Sequence, residues 1–187
     1  MVGVSLPVRA PRGVNVLRVV ANLVVYQCAW FACVLSVAAH RPIIGICVAC
    51  AGVLLHLCVA PSPQRELPLI AVAILAGAAF ESLLMASGWV RSPVLLIGSV
   101  TPLWMVSLWA VFATTLNVSL RALRRRYLAT AAIAAVGAPL AYAAGARLGA
   151  LQWVQAGPAL LLVACGWALL LPLLMRAAQR FDGFAAP

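Results

Sequence analysis

The sequence predicts an all-α fold, a polytopic membrane bundle of six transmembrane helices with both termini in the cytoplasm, and three observations carry that reading. Mean hydropathy is +1.10, and 66% of the 187 residues are hydrophobic while 9% are charged, where soluble domains carry about 25% charged residues. Six apolar runs approach the ~20 residues a helix needs to cross a hydrocarbon core of ~30 Å. The third observation is the placing of the arginines, which cluster between the runs and fall mostly on one side.

The runs are taken in order. Residues 15–38 form the first, with Asn15, Asn22, Tyr26, Ala29 and Cys33 at helical spacing as one small and polar stripe. Its basic start resembles a signal peptide, but the run exceeds the ~7–15 residues of such a core. The second, 43–60, follows the turn His40-Arg41-Pro42, and the third, 67–88, follows Pro61-Ser62-Pro63-Gln64-Arg65-Glu66. The fourth, 94–120, is too long for one straight crossing. Pro102 lies within it, so 94–101 is expected to be an interfacial or re-entrant piece and the helix to begin near Pro102. The fifth and sixth runs are 127–146 and 156–176. The organisation is then a cytoplasmic segment 1–14, a transmembrane domain 15–176 and a cytoplasmic tail 177–187.

Threading follows from counting arginines. Ten of the 13 (Arg9, Arg12, Arg18, Arg65, Arg121, Arg124, Arg125, Arg126, Arg176 and Arg180) fall on one side, against Arg41, Arg91 and Arg147 on the other, and the positive-inside rule assigns the first group to the cytoplasm. The net charge of +10 is therefore a topology signal, with no nucleic-acid partner implied. Arg124, Arg125 and Arg126 read as a stop signal that also attracts anionic headgroups, at about 1 kcal/mol per residue; the competing reading is a site for a phosphorylated substrate.

Inside the spans the polar residues are informative, since each must face protein, a partner or water. Glu81 stands 14 positions beyond Leu67, about 20 Å into the membrane, and must be paired, protonated or hydrated. Arg147, at the outer end of the fifth helix, is the expected partner; the alternatives are a proton-handling or substrate-binding role for the acid. Asn22 and Tyr26 serve interhelical packing or form one wall of a polar cavity. Thr114 and Thr115 can bond back to their own helix, which leaves Asn117 with interhelical or ligand partners. Gly137, Ala141 and Gly145 recur at four-residue intervals beside Pro139, a pattern that lets helices pack closely. Tyr142 lies on an adjoining face and can reach the same interior as Glu81.

No metal or cofactor is expected. Cys47, Cys50 and Cys58 share one helix face while His56 lies about 180° round from Cys47, so a single helix cannot gather them. His40, in a loop, reads as a capping or interfacial residue. Nucleophile-elbow, phosphate-loop and two-histidine zinc signatures are absent from the sequence, which lowers hydrolase and ATPase readings.

Asn22, Gln27 and Trp30 on the first helix, SLWAVFATTLNVSL at 107–120 and GAPLAYAAGARLGA at 137–150 together resemble the bacterial inner-membrane family Domain of Unknown Function 2878, from about Asn15 to Met175. The resemblance implies a small multi-pass bundle of the bacterial inner membrane with no established catalytic residues. Members resembling this chain are often encoded near cyclopropane-fatty-acid-synthase-like methyltransferases and other lipid-modifying proteins, which points to lipid metabolism or envelope stress. Three functions then compete. One is a lipid-handling or lipid-modification accessory protein with Glu81, Arg147, Tyr142, Asn22, Asn117 and Tyr26 lining a lateral cavity open to membrane lipids. The others are a small proton-coupled transporter and a structural subunit bound to another membrane protein.

Overall fold

Local chemistry sets the ends of the helices. In the computed structural model, which describes residues 15–94 and 101–185, α1 (Val16–Ala38) starts at Asn15, whose side chain accepts from the Leu17 amide at 3.1 Å. Proline opens α2 (Pro42–Val59) and α3 (Pro63–Ala86) and precedes α4 (Leu103–Leu116), positions where a missing N–H costs nothing. Beyond a short 3₁₀ turn at Arg121–Leu123 come α5 (Tyr127–Arg147) and α6 (Ala156–Arg180). Helix α5 ends in a Schellman motif, with Gly149 donating to Ala146 at 3.0 Å and Ala150 to Gly145 at 2.9 Å. That motif requires the left-handed backbone Gly149 adopts, φ 90°. The equivalent position after α1 is His40, φ 57°, so the loop histidine does sit in a helix cap.

Among the described residues, five helices (α1, α2, α3, α5 and α6) are long and apolar enough to cross a membrane. The fourth is apolar but has 14 residues, about 21 Å of helix, and ends at Leu116 where the sequence suggested 120. It begins after Pro102 as expected; the interfacial piece expected over 94–101 lies almost wholly outside the described residues. Short as it is, α4 forms the post of the bundle. It packs against α1, α2, α3 and α6, and most of its side chains are buried. Around it α1 lies on α2 and α5 lies on α6. Glycines admit the large rings at these joints: a Cβ on Gly77 of α3 would run into the Trp109 ring, and one on Gly166 of α6 into the Phe80 ring.

The two ends of the bundle differ. At one, β1 (Val90–Arg91) pairs antiparallel with β2 (Gln152–Trp153), tying the α3–α4 and α5–α6 connections together. At the other, the C-terminal segment folds back. The Ser62 amide donates to the Gly183 carbonyl at 3.0 Å, and the Arg18 guanidinium lies 5.4 Å from the Phe184 ring centre. The start of α1, the α2–α3 loop and the C-terminal segment therefore meet at one end, where Arg18, Arg65, Arg121, Arg124, Arg125 and Arg126 also lie, while Arg41, Arg91 and Arg147 belong to the strand-paired end. The segment expected as a tail from 177 is not free: α6 continues to Arg180, and Asp182 and Gly183 are buried.

Candidate functional site

Helix α3 carries two buried carboxylates, Glu66 in its first turn and Glu81 four turns on, both essentially without exposure. They define two polar clusters.

Around Glu81 the fold assembles aromatic groups. Trp109 of α4 donates through Nε1 to Glu81 Oε1 at 3.0 Å, and the Tyr142 hydroxyl of α5 donates to the same oxygen. Trp167 of α6 stacks on Trp109 with ring centres 4.4 Å apart and an interplanar angle of 21°. These groups line a cavity of about 250 Å³ whose wall is otherwise mostly apolar, with Tyr26, Met105, Phe112 and Leu171 among its surfaces. On α5 its lining residues run from Ile133 to Gly145, about 18 Å along the helix axis. A crevice between α1 and α5, bordered by Gln27, Phe31, Ala144 and Leu148, shares Tyr26, Trp30 and Ala141 with the cavity. Gln27, Phe31 and Leu148 are exposed, so the crevice leads outward at the side of the bundle.

The glycine stripe of α5 takes part in this arrangement in an unexpected way. A Cβ on Gly137 or Gly145 would meet nothing within 4 Å; these two glycines, with Ala141, border the cavity.

The proposed partnership of Glu81 with Arg147 is corrected. Glu81 accepts from Trp109 and Tyr142, and Arg147 is exposed in the last turn of α5. Five residues separate Tyr142 from Arg147, about 140° round a helix, so a helix that aims Tyr142 inward turns Arg147 away. Asn22 also leaves the cavity set: its Nδ2 donates to the Thr114 carbonyl at 3.3 Å, and its Oδ1 accepts from Ser119, a joint between α1 and the end of α4. Thr114 and Thr115 bond back to the carbonyls of Val111 and Phe112, each at 2.7 Å.

Asn117 belongs to the other cluster. Its Nδ2 donates to Glu66 Oε1 at 2.6 Å and to the Phe181 carbonyl at 2.8 Å, and its Oδ1 accepts from Arg124. The Gly183 amide donates to Glu66 Oε1 at 2.6 Å, and His56 Nε2 lies 2.9 Å from Glu66 Oε2. Arg124 and Arg121 reach Asp182 at 2.7 and 3.0 Å. The arginine run is thus divided: Arg124 is mostly buried in an ion pair, while Arg125 and Arg126 are exposed. Glu66, which the sequence placed in a loop, and His56, which it set aside, are both core residues. The signal for His56 was its helical register with Pro42, Gly45, Ala49 and Gly52, the buried face of α2.

A family of proteins of unknown function, DUF2878, matches residues 19–173. The chain belongs to that family. Among curated proteins and solved structures nothing matches it. Family membership and the apolar helices together describe a multi-pass membrane protein. Glu81, Tyr142, Trp109 and Trp167 all fall within the matched span, as do Glu66, Asn117 and Arg124, whereas Asp182 and Gly183 lie beyond it.

Proposed function

We propose that this protein is a lipid-handling accessory protein of a bacterial inner membrane, which admits the apolar chain of a membrane lipid between α1 and α5 and holds its polar end at Glu81. The observation that carries the reading is the lateral crevice leading to an apolar cavity with one buried carboxylate at its wall. A carboxylate at this depth is expensive to keep unless it has a task, and the single stretch of wall it occupies gives an apolar ligand one polar anchor, the usual composition of a ligand pocket. Entry from the side suits a molecule already dissolved in the bilayer. The excess of arginine at the end that gathers Arg18, Arg65 and Arg121–Arg126 supports a cytoplasmic location for that end, with six crossings in which the short α4 is shielded from lipid by its neighbours.

Native mass spectrometry of the protein in mild detergent tests the reading. Wild type is expected to retain a defined lipid, and Glu81→Gln and Tyr142→Phe to lose most of it while melting within a few degrees of wild type. The same lipid pattern in all three proteins would remove Glu81 from any binding site.

A further inference from the structure

The chain has three acidic side chains, Glu66, Glu81 and Asp182, and all three are buried and engaged inside the protein. No acidic side chain is left for Arg18, Arg65, Arg125, Arg126, Arg176 and Arg180, all of which are exposed. Among these, Arg176 and Arg180 are set apart by their surroundings. The Arg176 guanidinium lies 5.7 Å from the ring centre of Tyr127, the first residue of α5, and Gln179 Nε2 donates to the Tyr127 hydroxyl at 3.3 Å. The Arg180 guanidinium lies 6.0 Å from the Phe181 ring centre. A guanidinium resting on a ring keeps its planar fork of N–H donors, a geometry suited to a phosphate. The two are one turn apart on α6, where like charges repel, and an anion between them would relieve that repulsion.

The same face of α6 continues in apolar form. Leu169, Leu173, Arg176 and Arg180 follow at intervals of four, three and four, which places them on one stripe of the helix. The two leucines are 69% and 58% exposed. Helices α5 and α6 are both candidate membrane spans, so Tyr127 and Arg180, at the start of one and the end of the other, mark the same face of a bilayer. The stripe is therefore apolar toward the bilayer centre and cationic at headgroup level. We infer that an anionic phospholipid docks on it, with an acyl chain along Leu169 and Leu173 and its phosphate at Arg176 and Arg180. Arg126, which precedes Tyr127 in the chain, adds its charge from the start of α5. Charge complementarity selects this occupant, since a zwitterionic head brings a cation of its own into a group of arginines. Neither Arg176 nor Arg180 lines the cavity of Glu81, so the site stands apart from the lateral-cavity reading.

Native mass spectrometry in dodecyl maltoside, with titrations of dioleoylphosphatidylglycerol and dioleoylphosphatidylcholine, tests the site. Wild type is expected to bind phosphatidylglycerol at least about tenfold more tightly than phosphatidylcholine. Arg176→Gln combined with Arg180→Gln should weaken phosphatidylglycerol binding by about thirtyfold, the loss of two arginine–headgroup attractions. Arg18→Gln combined with Arg65→Gln removes the same charge from α1 and α3, and its loss should stay below about threefold because charges away from the head are screened. All four arginines are exposed, so both pairs should melt close to wild type. Equal losses in the two pairs, or no preference for phosphatidylglycerol in wild type, would overturn the site and leave a diffuse attraction of the whole arginine-rich end. Inorganic phosphate displacing the lipid at comparable concentration would overturn the lipid as occupant. Glu81→Gln is expected to keep the phosphatidylglycerol affinity, so failure of this site and failure of the cavity reading are told apart.

Discussion

Glu66 and Glu81 lie on the same helix, are equally buried, and have opposite circumstances. Both oxygens of Glu66 are engaged, Oε1 by Asn117 and the Gly183 amide and Oε2 by His56. Glu81 receives two donors on one oxygen and, among the described residues, none on the other. The first pattern is that of a group holding structure together: it draws α2, the end of α4 and the C-terminal segment onto the first turn of α3. The second leaves one oxygen of a cavity-lining residue without a partner among the described residues. Burial alone therefore does not distinguish a structural acid from a candidate binding acid; the count of satisfied oxygens does.

The largest expected effect breaks the comparison on the Glu66 side. Glu66→Ala leaves His56, Asn117 and the Gly183 amide without their common partner, and removing one member of a buried charged network typically costs about 3–5 kcal/mol. Thermal unfolding in detergent should show a loss of that order, with the C-terminal residues becoming sensitive to protease. An unchanged melting temperature would make Glu66 no more structural than Glu81.

Gly183→Ala comes next. A Cβ there would stand 2.6 Å from the Ser62 carbonyl oxygen and 2.7 Å from Glu66 Cγ, and overpacking of this kind costs about 1–3 kcal/mol. Carboxypeptidase digestion should trim the variant faster than wild type while lipid retention stays as it was, since Gly183 lies at the Glu66 cluster and not at the cavity. Loss of lipid in this variant would show the two clusters to be coupled.

The cavity side sharpens with two milder changes. Gly137→Ala adds a methyl group where nothing lies within 4 Å and replaces a flexible residue inside a helix, so stability should hold or rise by up to about 1 kcal/mol. A fall in melting temperature would mean that α5 does pack closely at that point. Arg147→Gln should be the smallest effect of all, within about 0.5 kcal/mol and with lipid retention unaltered, because the residue is exposed and apart from Glu81. Lipid loss in Arg147→Gln would restore the partnership the sequence suggested.

Some of the site was legible beforehand. The position of Tyr142 on α5 lets it reach the interior that holds Glu81, and it does; Asn117 is left with interhelical or ligand partners, and the structure gives it Glu66 of α3. The rest depended on partners remote in sequence. Nothing local to Glu81 points to Trp109 or Trp167, and nothing local to Glu66 announces an amide 117 residues away. Glu66 also sat among prolines that read as a loop, when those prolines are the opening turn of α3. The small-residue stripe of α5 is the same in sequence whether it meets a helix or an empty space.

The sequence by itself determined the all-α membrane class, the number of helices and, to within a few residues, most of their bounds. It could do so because in a bilayer each helix must satisfy its own backbone, so hydropathy length and the proline and glycine caps act locally. Tertiary structure alone decided which carboxylate is fully paired, which arginines leave the surface, and where α1 and α5 part to leave a cavity. Those outcomes turn on the rotation of each helix about its axis and on contacts between distant segments, and several rotations bury nearly the same apolar area.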